Sequence, residues 1–319
     1  MSATKSYKNT GVKYRSDEWY EKRRQLGLGG SEAAAVAGFT PYSSAFAVYW
    51  DKMGERKPIE ENETMRQGSD LEDYVAQRFC EATGKKVKRN SFMLQSVEHP
   101  FMLADVDRFI VGENAILECK CTLNRDNYSY EDANSIPAYH LVQCLHYMAV
   151  VGADMCYLAT LVYGKGFYNV EIDRSDYEDD MNALIAMEER FWNDNVKAGI
   201  PPMPDGSDSS SEILSEHYPL SNDSLPPVDL TSQGAQLHRL SELKKQIATL
   251  TDEKSAIENN IKQLLGEASV GEYENFRVTW KSRESTRLDS KALKTEMPDV
   301  YARYAKTSST RTFLFTEKN

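Results

Sequence analysis

The chain of 319 residues has 38 basic and 49 acidic side chains, which give a formal net charge of −11 at pH 7. This balance argues against indiscriminate nucleic-acid binding, but it leaves room for a nucleic-acid enzyme whose basic groups line one channel. Hydrophobic residues make up 40% of the chain, and no apolar run approaches a membrane span, so we expect no membrane partner. The polar beginning, MSATKSYKNTGVKYRSDEWYEKRR, lacks the apolar core of a signal peptide.

The cysteines point to a reducing compartment. The five thiols form no C-x-x-C pair and lie in apolar or strand-like segments, at Cys80, Cys119, Cys121, Cys144 and Cys156. We therefore expect free thiols and a cytoplasmic location.

The first 200 residues alternate between helical and strand-like segments. Helices are predicted at SEAAAVAG, SAFAVYWDKMG and SDLEDYVAQRFCEATG, the last with Ser69 as its N-cap and Gly84 as its stop. Strands follow at SFMLQSVEHP, FMLADVDRFIV and AILECKCTL, and the turn GEN joins the last two. Next come the helix PAYHLVQCLHYMAVVG, the strands ATLVYG and FYNVEID, and the long helix DYEDDMNALIAMEERFWNDNVKAG. This order predicts an α/β or α+β domain with a central mixed sheet flanked by helices.

A change of composition divides the chain. Pro, Ser, Asp and Gly dominate from residue 201 to residue 229, which is typical of a linker or a draped loop. We place a domain at 1–202, a linker at 203–229 and a C-terminal module at 230–319.

The C-terminal module begins with a strongly periodic helix at 232–267. Two heptad positions run along it, one with Leu240, Ile247, Lys254 and Ile261, the other with Leu243, Leu250, Ile257 and Leu264. Four heptads favour a coiled coil, and an amphipathic helix packed on its own domain is an equal alternative. The strand ENFRVTWKS, the helix SKALKTEMPDVYARYA and the strand RTFLF follow. The basic side chains of this part suggest a contact with DNA or a partner, and they are Lys281, Arg283, Arg287, Lys291 and Lys294.

Two acidic side chains and a lysine converge in the predicted hairpin. Side chains alternate along a strand, so Glu118 and Lys120 of the segment ILECKC point to one face. The preceding strand brings Asp107 near Glu118. Two carboxylates beside an ammonium group suit Mg²⁺ or Mn²⁺ with a phosphate next to it. Such an ion polarises the phosphoryl oxygen, and the lysine steadies the attacking water or the developing charge. The alternative is a surface hairpin with an ordinary Glu–Lys pair.

Four further residues support a phosphate-handling site. Arg24, a glycine-rich turn and Ser31 at a helix start suggest a phosphate site, although a plain helix cap is the alternative. Glu72 shares a helical face with apolar residues, where an acidic side chain is uncommon unless it has a partner or a function. Gln143 lies among apolar positions, where its amide orders a catalytic water or ligand, or makes a core hydrogen bond.

These stretches, in this order, resemble the YqaJ-type viral recombinase exonucleases, relatives of phage lambda exonuclease within the PD-(D/E)xK nuclease superfamily. The matching motifs are R-x-x-G-L-G-G-S at 24–31, G-x-x-L-E at 68–72, Asp107 with E-C-K at 118–120, and Y-x-x-x-Q-x-x-x-x-M-x-V-x-G at 139–152. The resemblance covers roughly residues 15–200, and the tail from Phe276 is similar to an extension on longer phage members.

The resemblance implies a role for each matching residue. Asp107 and Glu118 would bind the metal together with the backbone carbonyl of Cys119, and Lys120 would be the catalytic lysine. Glu72 and Gln143 would support the site. Arg24 and Ser31 would hold the 5′-phosphate of the cleaved strand. The chain departs from the family at three positions near the motif aspartate, where it has Asp105, Val106 and Arg108. These departures put the phosphate pocket in question, and Asp105 is a possible second metal ligand.

The function implied is that of a Mg²⁺-dependent 5′-to-3′ exonuclease of double-stranded DNA, with Mn²⁺ as a possible substitute. Its 3′ single-strand overhangs would serve a single-strand annealing protein in a bacterial cytoplasm, in a phage or mobile-element context. The family resemblance also implies a homo-oligomeric ring, with a trimer favoured, that encircles DNA. Lys22, Arg23, Arg24 and KKVKR at 85–89 are channel candidates, although for the last a solvated loop is the alternative.

Two other functions compete with this one. The first is a PD-(D/E)xK endonuclease or repair nuclease, and its iron–sulfur branch is disfavoured because suitably spaced cysteines are missing. The second is a non-catalytic protein that binds DNA ends or acts as an assembly scaffold through its coiled coil.

Overall fold

The computed structural model describes residues 5–56 and 61–317, and it divides the chain into two compact units, 1–217 and 218–319. The outermost residues of the predicted domains, 1–4 and 318–319, lie outside the described residues. Within the described part of the chain, no helix is both long enough and apolar enough to cross a membrane.

The first unit contains two sheets. Its strands are β1 (Tyr7–Lys13), β2 (Val87–Arg89), β3 (Phe92–Ser96), β4 (Leu103–Ala104), β5 (Arg108–Ile110), β6 (Ala115–Thr122), β7 (Met155–Val162) and β8 (Gly166–Asp173). The larger sheet has the order β2-β5-β6-β7-β8, and β1, β3 and β4 form a small sheet in the order β1-β3-β4. Strands β6 and β7 are parallel, whereas the other neighbours in the larger sheet are antiparallel. The predicted central mixed sheet is therefore confirmed.

Helices cover both faces of the larger sheet. They are α1 (Asp17–Leu26), α2 (Gly30–Val36), α3 (Ala45–Lys52), α4 (Glu63–Thr83), α5 (Ala138–Val151), α6 (Glu178–Arg190) and α7 (Asp208–His217). One core joins Phe79 of α4 to Leu117 and Tyr157, and the other joins Met148 of α5 to Ile116. The alternation along β6 thus places Glu118 and Lys120, which share the face of Ile116, on the α5 side.

The first turn of α4 begins earlier than predicted. Asn62 is its N-cap and accepts a hydrogen bond from the backbone of Met65, while Ser69 lies inside the helix and donates its hydroxyl to the Met65 carbonyl. The prediction of Ser69 as the N-cap is therefore wrong, because Asn62 already satisfies the first turn. Gly84 ends the helix with a φ of 72°, as predicted.

The predicted strand FMLADVDRFIV is divided in two. Leu103–Ala104 pairs with β3 in the small sheet, and Arg108–Ile110 pairs with β6 in the larger one. The chain changes sheets between them, so Asp105 and Asp107 lie in a crossing segment that belongs to neither ladder.

A helix occupies part of the predicted linker at 203–229. Helix α7 buries Ile213 against Phe46 and Ala47 of α3. Its serines hydrogen-bond within the first unit, since Ser210 contacts the Ser44 hydroxyl at 3.0 Å. The prediction of an unstructured connection therefore fails at 208–217, because these serines make interior hydrogen bonds that composition does not reveal.

The second unit is built on α8 (Gly234–Leu265). The hairpin of β9 (Val270–Tyr273) and β10 (Phe276–Thr279) follows, and then α9 (Ser290–Glu296) and α10 (Pro298–Tyr304). The single helix predicted over the last two is interrupted because Pro298 cannot donate a backbone hydrogen bond. The segment RTFLF at 311–315 forms no strand, which contradicts the prediction, and among the described residues β10 pairs only with β9.

Candidate active site

Glu118, Lys120 and Gln143 form a closed triangle of hydrogen bonds. Lys120 Nζ donates to Glu118 Oε1 at 2.7 Å and to Gln143 Oε1 at 2.9 Å. Gln143 Nε2 donates to the same Glu118 oxygen at 2.8 Å. Two of these residues come from β6 and the third from α5, so the amide of Gln143 fixes both charged groups.

Asp107 stands beside this triangle. Its Oδ2 accepts a hydrogen bond from the backbone N–H of Cys119 at 2.8 Å. Burial raises the pKa of Asp107 well above its ordinary value, and the charges of Glu118 and Glu72 raise it further. Burial also raises the pKa of Glu118, despite the opposing charge of Lys120. A cation bound here, in addition to Lys120, would therefore stabilise the ionised form of both carboxylates.

The donor set fits a divalent cation. Glu118 is 4% exposed, and its Oε2 is buried without a hydrogen-bond partner in the described residues. Those residues contain no group of three or more His, Cys, Asp or Glu side chains that could hold an ion. Asp107 and Glu118 would therefore need oxygen from a backbone carbonyl, water or phosphate to complete the shell, which is usual for Mg²⁺. The predicted Cys119 carbonyl is one such oxygen.

Glu72 is held by an arginine that the sequence analysis treated only as a departure. Arg108 is 3% exposed, and its Nη1 donates to Glu72 Oε1 at 2.6 Å. Its Nη2 donates to Asp73. Glu72 thus faces Asp107 from α4 while its charge is balanced from β5. The sequence did contain a signal for this contact. Arg108 directly follows the motif aspartate, Asp107, and the preceding helix offers Glu72 as an acidic partner.

Ser31 contacts Arg23 rather than Arg24. Arg23 Nη2 donates to Ser31 Oγ at 3.0 Å, whereas Arg24 Nη2 lies 3.5 Å from Asp51 Oδ1. Consecutive residues of a helix point about 100° apart, so only one of the two arginines can face Ser31. The prediction that Arg24 and Ser31 form one pocket is therefore not met by this geometry.

Arg23 belongs to a charged network behind Ser31. Its Nε lies 3.2 Å from Glu32, and Glu32 also pairs with Lys52 Nζ at 2.8 Å. Burial favours the neutral form of Glu32, but the charges of Arg23 and Lys52 prevail and lower its pKa to about 2. The network fixes the Arg23 guanidinium.

The glycine-rich turn allows α2 to approach the triangle. A Cβ on Gly30 would stand 2.7 Å from Gln143 Cγ and 2.8 Å from Tyr147 Cε1. Tyr147 in turn contacts Gln143, whose Nε2 lies 3.3 Å from the tyrosine oxygen. Gly30 therefore sets the position of Gln143 through close packing.

Asp105 is hydrogen-bonded to a tryptophan. Trp19 Nε1 donates to Asp105 Oδ1 at 2.9 Å. This bond occupies one of the oxygens that a metal would need, so Asp105 is a positioning group for Trp19 in this structure.

A cleft opens next to Asp107. Its volume is about 370 Å³. It is lined by Lys13, Tyr14, Glu72, Arg89, Asn90, Ser91, Phe92, Asp105, Val106 and Asp107. A cavity of this size is sufficient for a small ligand or for part of a larger one.

Comparison with known proteins gives one extensive similarity. A family model described as YqaJ-like viral recombinase domain matches residues 18–154. The uncharacterized protein YqaJ of Bacillus subtilis (strain 168) is 37% identical over 302 residues, which is 93% of each chain.

Solved structures give a weaker similarity. An alkaline exonuclease (LHK-Exo) from Laribacter hongkongensis is 19% identical with a TM-score of 0.41, over 58% of this chain and 98% of that one. A phage-related exonuclease from Haemophilus somnus 129PT is 11% identical with a TM-score of 0.41, over 55% and 96%.

Proposed function

The chain belongs to the YqaJ-like viral recombinase family, and on that premise we propose that it is a metal-dependent deoxyribonuclease that degrades one strand of double-stranded DNA from the 5′ end. The observation that carries the proposal is the convergence of Asp107, Glu118 and Lys120, with the buried Glu118 Oε2 left without a partner in the described residues. A structural ion pair would not need a second carboxylate beside it, here the half-buried Asp107, because that carboxylate adds repulsion.

Each residue then has a chemical task. A bound Mg²⁺ or Mn²⁺ would polarise the phosphoryl oxygen and lower the pKa of an attacking water. Asp107 and Glu118 would hold the ion. Lys120 has three N–H donors, and within the described residues two of them are directed at Glu118 and Gln143. The third would donate to the attacking water or to the developing charge on phosphorus oxygen.

The proposed polarity requires a pocket for the 5′-phosphate. Arg23 would take the role that the sequence analysis gave to Arg24, because Arg23 is the arginine that contacts Ser31. Its guanidinium and the serine hydroxyl would both donate to phosphate oxygen.

The biological setting follows from family resemblance alone. We propose that the 3′ overhangs are passed to a single-strand annealing protein and that the enzyme works as a homo-oligomeric ring, with a trimer favoured, in a bacterial cytoplasm. The C-terminal residues 230–319 would contact that partner or the DNA.

The decisive experiment uses end-labelled linear duplex with Mg²⁺, alongside nicked and closed circular DNA. We expect loss of the linear duplex from its 5′ ends, and an intact closed circle. Asp107→Ala, Glu118→Ala and Lys120→Ala should each abolish cleavage, while Glu171→Gln, an exposed acid on β8, should not.

Other outcomes distinguish the alternatives. Cleavage of the closed circle would favour an endonuclease or repair nuclease. Binding of ends without cleavage at any Mg²⁺ or Mn²⁺ concentration would favour the scaffold function.

A further inference from the structure

The hairpin of β9 and β10 in the second unit carries aromatic side chains on one face. Phe276 lies directly opposite Tyr273 in the antiparallel pair, so the two side chains share a face. Trp280 shares it too, because it follows Phe276 by four positions and its N–H continues the ladder with a 3.0 Å bond to Ser269 O. The rings are open to solvent, with Tyr273 at 69%, Phe276 at 65% and Trp280 at 49% exposure. Such an open aromatic surface on a two-stranded hairpin marks a binding site.

The polar side chains of the hairpin lie on its other face. Glu272 is opposite Arg277, and Arg277 Nε lies 3.5 Å from Glu272 Oε1. Along the paired strands, Gly271 and Val278 complete the aromatic face, so no charged side chain shares it. A planar ligand could therefore cover the rings without removing a charge from water.

A basic segment directly follows the aromatic face. Between Arg277 and Lys294 there are six basic and two acidic side chains, whereas the whole chain has 38 basic and 49 acidic ones. Lys281, Arg283 and Arg287 precede α9, and none of them forms an ion pair within the part of the chain that the structure describes. Open rings beside uncompensated positive charge attract an anion that also carries planar groups.

Single-stranded DNA has both features. Its phosphates would pair with the basic segment, and its unpaired bases would stack on the rings. The bases of a duplex are already stacked on one another, so a duplex would engage the basic segment alone. An acidic peptide would match the charge but not the rings.

We propose that the β9–β10 hairpin and the segment 281–287 bind single-stranded DNA, with bases stacked on Tyr273, Phe276 and Trp280. The source of that strand rests on the proposed function, because a 5′-to-3′ exonuclease leaves a 3′ overhang that this surface would hold. The binding itself requires no cleavage.

A single-stranded oligonucleotide that contains 5-iododeoxyuridine locates the rings, because this base photo-crosslinks to aromatic side chains that it contacts. The full-length protein is irradiated in EDTA, so that no metal-dependent cleavage occurs. Cross-links should appear in the tryptic peptide 263–277, which contains Tyr273 and Phe276. Unlabelled single strand should suppress them at a lower concentration than unlabelled duplex does.

Variants of Phe276 separate stacking from a general apolar contact. Below saturation, Phe276→Ala should lower the cross-link yield at Tyr273 about tenfold, since stacking of one base contributes a factor of this order. Phe276→Tyr keeps a ring and should keep the yield, whereas Phe276→Leu should behave as Phe276→Ala does. Thr279→Ala, on the other face of the hairpin, is the control.

The outcomes are independent of the nuclease proposal, which only the cleavage assays decide. Cross-links confined to residues 1–217 would overturn the hairpin proposal. A wild-type yield in both Phe276→Ala and Phe276→Leu would also overturn it and would leave a protein as the partner of this face. Arg283→Gln lies outside any helix or strand, so it tests the charge without disturbing the hairpin, and it should lower the salt dependence of the yield.

A second inference rests on α8. Its heptad positions are exposed in the second unit, with Ile247 at 62%, Leu250 at 63%, Ile257 at 53% and Leu264 at 87%. The alternative that this apolar stripe packs on its own unit is therefore not met between Ile247 and Ile257. An apolar stripe of four heptads needs a partner helix.

The charges beside the stripe select one arrangement of two copies. In a parallel pair, Arg239 would face Lys244 of the other copy, which is repulsive. Glu253 would face Glu258 there, which is a second repulsive contact. In an antiparallel pair that aligns all four heptads, Lys244 faces Glu258 twice. Glu253 then meets its own counterpart once, at the centre of the stripe near both Lys254 side chains.

We propose that α8 pairs with α8 of a second copy in antiparallel orientation. This two-fold contact cannot by itself close a three-membered ring, so it would join chains or rings rather than build one. Lys254 at the seam would lie opposite Leu250, which favours one register at a cost in stability.

Charge reversal in the full-length protein tests the orientation, with the mass of the assembly measured by light scattering across a dilution series. Lys244→Glu and Glu258→Lys should each weaken association about tenfold, and the double reversal should restore it. In a parallel pair the single reversals would strengthen association instead, which would overturn the proposal.

Lys262→Glu, outside the stripe, is the control. Lys244 also donates to Phe315 O at 3.0 Å within its own unit, and loss of that bond alone would not be rescued by Glu258→Lys. Association that no reversal changes would likewise refute the pairing and leave another protein as the partner of α8.

Discussion

Gly30→Ala tests whether close packing of α2 on α5 sets the active site. The added Cβ would stand 2.7 Å from Gln143 Cγ and 2.8 Å from Tyr147 Cε1, well inside ordinary van der Waals contact. Either the helices separate or Gln143 moves by about 1 Å. Overpacking of this kind costs about 1–3 kcal/mol of stability.

The larger effect should be on cleavage. Gln143 holds Glu118 and Lys120 through bonds of 2.8 Å and 2.9 Å, so its displacement loosens both groups at once. A misplacement of about 1 Å can cost roughly a hundredfold in rate. We expect Gly30→Ala to lower the single-turnover rate on linear duplex by one to two orders of magnitude, about 10- to 100-fold, with a modest drop in Tm.

Gly68→Ala provides the control for backbone effects. Gly68 lies inside α4 and has nothing within 4 Å of an added Cβ, so alanine should raise helix stability by about 0.5–1 kcal/mol. Cleavage should stay unchanged. A Gly30→Ala protein with wild-type rate and wild-type Tm would refute the packing argument.

Three other predictions follow from the site and from the core. Asp107→Asn should abolish cleavage and weaken Mg²⁺ binding measured by calorimetry, because the amide lacks the charge that would hold the proposed ion. Arg23→Gln should remove the preference for 5′-phosphorylated over 5′-hydroxyl ends in a competition assay, whereas Arg24→Gln should keep it, and the opposite result would return the pocket to Arg24. His146 and Glu188 are both buried and hydrogen-bonded at 2.8 Å. Burial lowers the pKa of His146 but the Glu188 charge prevails and raises it, and burial raises the pKa of Glu188. A group whose pKa is raised by folding stabilises the folded state below its unfolded-state pKa. That contribution to the free energy of unfolding is lost as the pH rises through the folded-state pKa, and this holds for both His146 and Glu188. Wild-type Tm should therefore fall more than that of Glu188→Gln between pH 6 and pH 8, and parallel Tm curves would show that the pair does not titrate.

The chemistry of β6 could be predicted from sequence because it depends on a local rule. Alternation with a period of two placed Glu118 and Lys120 on one face whatever the rest of the fold. The half-buried amide of Gln143 could also be recognised from sequence, as a polar residue in an apolar helix. The roles of these residues stay predictions until the variants are measured.

Longer-range geometry could not be predicted in the same way. The choice between Arg23 and Arg24 depends on the rotation of α1 about its axis, which sequence alone leaves free. The break before Arg108 depends on which sheet supplies the next partner strand, and local propensity is the same in both. Helix α7 was not predicted because Ser210 hydrogen-bonds to Ser44, which lies 166 positions away in sequence.

The crossing segment around Asp107 is anchored to the larger sheet by two hydrogen bonds. The Cys119 amide of β6 donates to the Asp107 side chain, and the amide of Asn90, which directly follows β2, donates to the Asp107 carbonyl and continues the register in which Arg89 lies opposite Arg108. Sliding of the small sheet can therefore be taken up between Ala104 and Asp107 while Asp107 keeps its place beside Glu118. Hydrogen exchange at the Asn90 and Cys119 amides would show whether both bonds stay closed, which bounds how far Asp107 can drift from Glu118 between turnovers.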